Sequence, residues 1–173
     1  MADRPAPEGA PAADTASLVI DADPQHLYEL VSDVARMGRI SPECTGGRWL
    51  GGAAGPAVGA RFKGTNRRGW IRWSTHNTVV AADPGREFAF ETTESGIRWT
   101  YRFEPRGSAT LVTESREAFR DRPLVARVFA LLLGGAEAHD DELRQGLVDT
   151  LERLRSLAET VLFTEDRAER DPR

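Results

Sequence analysis

The chain has 173 residues, 40% of them hydrophobic and 29% charged, and a formal net charge of −4. Such a composition is ordinary for a globular protein, and the length suits one domain of roughly 140–150 residues with short tails. The net charge supplies no electrostatic reason to bind nucleic acid, so the scattered arginines, Arg67-Arg68 included, read as solvated surface. A single cysteine, Cys44, excludes an internal disulfide framework and fits a reducing, cytoplasmic compartment.

Residues 1–14, rich in Ala and Pro without an apolar core segment, read as a disordered tail. Ser17–Asp21 is a short β-rich stretch that opens a sheet. Asp23-Pro24 then supplies an N-cap and a proline at the first helical position. Leu27, Leu30, Val31, Val34 and Met37 follow at helical spacing, predicting one amphipathic helix over Gln25–Met37, whole or broken in two. Gly38 and Pro42 end it.

From Arg48 to Glu117 the pattern is strand and turn. Strands are expected at Arg48–Leu50, Ala60–Asn66, Trp70–Ala81, Glu87–Thr93, Ile97–Glu104 and Thr110–Glu117. Their short connections, such as Asp83-Pro84-Gly85, imply an antiparallel meander. The chain then turns helical. The apolar segment Pro123–Leu133 is too short to span a bilayer and reads either as core or as a lid hinged at Gly134-Gly135. A long helix from Glu137 to about Leu162 carries Leu143, Leu147, Leu151, Leu154 and Ala158 as a stripe to be buried on the sheet. Asp140/Arg144 and Asp149/Arg153 are spaced as ion pairs on its wet face. Residues 163–173 are a charged tail, and residues 15–162 make a single α+β domain.

Strand parity assigns the faces. The inner face takes Phe62, Gly64 and Asn66; Ile71, Trp73, Thr75, Asn77 and Val79; Phe88, Phe90 and Thr92; Trp99, Tyr101 and Phe103; and Thr110, Val112 and Glu114. It is aromatic, with Asn66, Thr75, Asn77, Tyr101 and Glu114 as a small polar set. Unpaired polar groups in a solid core cost on the order of 1–3 kcal/mol each. Apolar walls with a few placed polar groups are the make-up of a ligand pocket. The placement of Glu114 depends on an unbulged last strand.

The stretch Arg67–Glu117, together with Ser41-Pro42-Glu43-Cys44 and Trp49, resembles the polyketide cyclase/dehydrase-type actinobacterial branch of the START / Bet v 1-like superfamily, over about residues 15–160. The resemblance implies a helix-grip fold: a curved antiparallel sheet of about seven strands wrapped on a long C-terminal helix, with an internal cavity. It also implies one of three roles. The first is a binder of a hydrophobic, aromatic or polyketide-like small molecule. The second is a cofactor-free cyclase/aromatase acting with an acyl carrier protein. The third is an enediyne-sequestering or self-sacrificing resistance protein.

Candidate ligand-binding residues are Asn66, Trp73, Thr75, Asn77, Phe88, Phe90, Trp99, Tyr101, Phe103, Val112, Glu114, Leu143 and Leu147. A cyclase needs a proton acceptor and an enolate donor, for which Glu114, Tyr101 and Arg116 are the candidates. Arg116 shares the parity of Glu114, so these two would instead neutralise each other at the pocket mouth. His26, His76 and His139 have no metal-ligand spacing, and no metal or cofactor is implied. Cys44 has no activating neighbours and reads as a packing residue. Gly134, Gly135 and Gly146 are candidate sacrificial sites. The chain is expected to be a monomer or weak dimer with no membrane span.

Overall fold

The computed structural model describes residues 14–120 and 145–160. Its strands are β1 (Asp14–Ile20), β2 (Cys44–Leu50), β3 (Arg61–Arg68), β4 (Ile71–Asp83), β5 (Glu87–Thr92), β6 (Ile97–Arg106) and β7 (Ala109–Ala118). They form one antiparallel sheet in the order β1-β7-β6-β5-β4-β3-β2. Strands β2 to β7 are a continuous meander, and β1 is set on the far edge against β7. Register shifts at Cys44/Gly46 and Val79/Ala81 bend the sheet, since each inserts a residue into one strand only.

Helix α1 (Pro24–Ser32) is capped by Asp23, whose side chain accepts from the Gln25 and His26 amides. It stops at Asp33, short of the helix expected through Met37. The Asp33 carboxylate accepts the Ala35 and Arg36 amides and turns the chain into a 3-10 turn, Met37–Arg39. The apolar periodicity nonetheless serves one face. Leu27, Val31, Val34 and Met37 are all buried, joined by Tyr28, which packs edge-on to Phe88 and Phe103.

Residues 145–160 form helix α2. Leu147, Leu151, Leu154 and Ala158 are buried along it at the expected spacing. Leu151, Leu154 and Ala158 join one apolar cluster with Phe62, Val79, Phe88, Phe90, Phe103 and Val112 of the sheet. Each of the Leu, Phe and Val side chains contributes about 1.5–3 kcal/mol by leaving water. A curved seven-stranded antiparallel sheet carrying a C-terminal helix is the helix-grip α+β fold. Leu143, His139, Asp140/Arg144, the segment Pro123–Leu133, Gly134-Gly135 and most of both tails lie outside the described residues.

Three expectations are corrected. Strand β1 starts at Asp14, inside the stretch read as tail, because its residues pair with β7 through Asp14↔Arg116. Strand β2 starts at Cys44 and runs through Gly46-Gly47, residues that propensity assigns to a loop. Glycine is required there: a Cβ on Gly47 would stand 2.9 Å from the Val34 carbonyl oxygen. Asp149 accepts from Gln145 at 2.9 Å, while Arg153 donates to the Ser41 carbonyl at 3.3 Å, so that i,i+4 pair does not form.

Candidate functional site

The register of β6 and β7 sets Tyr101 directly across from Glu114. Thr110, Val112, Glu114 and Arg116 are all buried while Leu111, Thr113 and Ser115 between them are not, so β7 is unbulged and Glu114 faces inward. The Tyr101 hydroxyl donates to Glu114 Oε1 at 2.7 Å. Glu114 is 1% exposed, and its other oxygen, Oε2, is buried with no hydrogen-bond partner. Burial pushes the carboxyl from an ordinary 4.5 up to about 8, the Tyr101 hydrogen bond pulling back against it. Burial, and then the neighbouring Glu114, hold the Tyr101 phenol well above its usual range. At neutral pH the pair is therefore a phenol and a carboxylic acid, both neutral. The acid proton belongs on Oε2, since Oε1 already accepts from Tyr101.

Arg116 does not pair with Glu114. It forms an ion pair with Asp14, its cross-strand neighbour on β1. The neutralisation expected from shared parity fails because β1 supplies a carboxylate on the other side. Cys44 is partly buried, and burial pushes its thiol up. It lies close enough to Tyr101 to raise the phenol further, and its Sγ donates to the Gly46 carbonyl.

The remaining polar set forms a second group. Asn77 Oδ1 accepts from Thr92 Oγ1 at 2.8 Å, and Thr75 Oγ1 accepts from Asn77 at 3.3 Å and Asn66 at 3.5 Å. Gly64 gives this group its room, because a Cβ there would stand 2.7 Å from Thr75 Oγ1. Thr92 was the missing member of this network; its inward parity was the available signal. These residues satisfy one another, whereas Glu114 is left with a free oxygen.

Phe88, Phe90, Phe103, Val112 and Leu147 are buried, Trp99 packs against the core cluster, and Trp73 is half-buried toward the β3–β4 turn. His76 points outward to Glu94, at 2.7 Å. Gly146 lies on α2 with Pro42 beside it. Among the described residues, no group of His, Cys, Asp and Glu converges as a metal site, and no helix is long and apolar enough to cross a membrane. An open depression of about 440 Å³, lined by Arg39, Glu152, Arg153, Ser156, Leu157 and Thr160, lies on the other side of α2. It is a depression open to solvent and not an enclosed cavity.

The family model for "polyketide cyclase / dehydrase and lipid transport" matches residues 13–159. The chain belongs to that family. The polyketide-cyclase-like protein Cgl2372 of Corynebacterium glutamicum is similar over 93% of this chain and 97% of its own, with 28% identity and a TM-score of 0.57. Ara h 8.0201 shares the fold at 11% identity and a TM-score of 0.62, over 86% and 99% of the two chains. The di-domain aromatase/cyclase StfQ of the steffimycin pathway does so at 12% identity and a TM-score of 0.66, over 87% of this chain and 51% of its own. No curated protein is significantly similar to the sequence.

Proposed function

We propose that this family member binds a hydrophobic, aromatic or polyketide-like small molecule between the inner face of its sheet and helix α2, held through an oxygen acceptor on the ligand. The observation that carries this reading is Glu114 Oε2, buried beside Tyr101 with no partner. Native proteins leave few such groups, since each costs about 1–3 kcal/mol. A ligand carbonyl or phenolic oxygen accepting from Oε2–H would remove that cost, and the surrounding Phe88, Phe90, Trp99 and Phe103 would bury the rings. Family membership supports the ligand class.

A second reading, a cofactor-free cyclase/aromatase receiving its substrate from an acyl carrier protein, draws on the same pair. A neutral acid beside a phenol can donate its proton to a ketone oxygen as the enol carbon of the same substrate attacks the carbonyl carbon, the enol O–H proton returning through water to the carboxylate. The two readings separate experimentally. A thermal-shift screen sets polycyclic aromatic ketones and phenols against hydrocarbons of the same ring count. The binding reading expects stabilisation by the oxygenated members, retained in Glu114→Gln and lost in Glu114→Leu. Equal shifts with the hydrocarbons would refute the role of Oε2. Turnover of an acyl-carrier-bound poly-β-ketone that disappears in Glu114→Gln, with binding intact, would establish the cyclase.

A further inference from the structure

The outer face of the sheet is built on two opposite charge patterns. Across β5, β6 and β7, unlike charges are placed in register. Arg98 lies between Glu91 and Glu117, at 2.6 and 3.1 Å, and Arg102 lies across from Glu87, at 3.2 Å. Across β2, β3 and β4, like charges are. Arg48 is opposite Lys63 and Arg67 is opposite Arg72, with Arg61 on the same face. Strands β2 and β3 contain no carboxylate, nor does β4 before Asp83. The flanking acid is Glu43, one residue ahead of β2, whose carbonyl accepts the Arg67 amide. His76 marks the margin of the patch, already paired to Glu94.

Like charges directly opposed on neighbouring strands destabilise a sheet. Protecting an open edge explains cations on β2, but not the Arg67/Arg72 pair, which joins two strands inside the order. Nor does solubility explain Trp70. It stands in the β3–β4 turn beside that pair and is 90% exposed, the most exposed large apolar side chain among the described residues.

We propose that this face docks on an anionic lipid bilayer, Arg67 and Arg72 meeting headgroup phosphates and Trp70 entering the headgroup–acyl boundary. The indole of tryptophan favours that boundary, and basic side chains gain from an anionic leaflet. Short residues, Thr45, Thr65 and Ser74, lie between the long cationic ones on this face. Among the described residues it carries one aromatic at its rim and not the row of stacking platforms that single-stranded nucleic acid uses. This inference stands on the outer face alone and is independent of what the inner face holds.

The test is co-flotation of the full chain with vesicles of phosphatidylcholine, alone or with about 30% phosphatidylglycerol, at about 50 and 500 mM NaCl. Binding is expected to the anionic vesicles at low salt only, with a blue shift of indole emission that Trp70→Ala removes. Arg67→Gln with Arg72→Gln is expected to lower partitioning roughly 30-fold. Arg102→Gln with Arg106→Gln removes the same charge from the paired half and should leave partitioning unchanged. All these positions are exposed, and unchanged melting temperatures would show that the variants are folded. Equal binding to neutral vesicles, or full binding by the Arg67/Arg72 variant, would overturn the proposal. So would capture of single-stranded DNA under conditions where anionic vesicles are not bound, which would make the face a nucleic-acid surface.

Discussion

Replacing Glu114 by Gln should make the protein more stable at neutral pH and flatten its stability profile. The sign follows from which state holds the proton. A carboxyl at about 8 when folded and near 4.5 when unfolded keeps its proton in the native state while the unfolded chain has released it. Stability is then greatest below about pH 4.5 and falls as pH rises toward 8, by up to about 1.4 kcal/mol per pH unit. Between pH 5 and 7 the loss from this one group is about 2–3 kcal/mol, or roughly 5–10 °C in melting temperature for a chain of this size. The amide of the Glu114→Gln variant would offer the same oxygen to Tyr101 and an N–H in place of the acid proton, without a charge to bury. Thermal and denaturant unfolding of both proteins at intervals from pH 5 to 8 would measure the difference. The two profiles should converge at pH 5 and diverge toward pH 8. Parallel profiles would refute a buried, neutral Glu114.

Tyr101→Phe leaves both Glu114 oxygens without a partner, so a loss of about 1–3 kcal/mol is expected from urea titrations, with ligand affinity falling as well. Gly64→Ala should cost about 1–3 kcal/mol through overpacking against Thr75, and clearly less in a Thr75→Ala background; an additive double-mutant cycle would exclude that contact. Leu154→Ala, fully buried on α2, is expected to cost about 2–5 kcal/mol by chemical denaturation. Val148→Ala on the exposed side of the same helix should stay within about 0.5 kcal/mol.

The order of elements, the inner faces of the strands and the buried stripe of α2 were legible because hydrophobic period alone specifies them. Glu114 was correctly turned inward by the alternation Thr110, Val112, Glu114. Its partner was harder to read. Shared parity pointed to Arg116, whereas the register of β6 and β7 gives Tyr101, and a strand beginning at Asp14 takes Arg116 away. Asp14 itself was hidden by the Ala- and Pro-rich run that precedes it. The cationic face was invisible for a related reason. Its five members are spread from Arg48 to Arg72, strand pairing brings them onto one face, and the net charge of −4 averages them away. Residues 46–47 were lost as strand because local propensity weighs glycine's freedom and not the close approach of Val34.

The most direct test of a ligand anchored at Glu114 is carboxyl 13C NMR on protein labelled at glutamate, with the Glu114 resonance assigned from the Glu114→Gln variant. The resonance should titrate near pH 8 in the free protein. It should shift on adding polycyclic aromatic ketones, and its midpoint should rise when they bind, because they hold the protonated form. A Glu114 resonance that titrates near 4.5, or one that no oxygenated ligand moves more than its parent hydrocarbon does, would contradict the account.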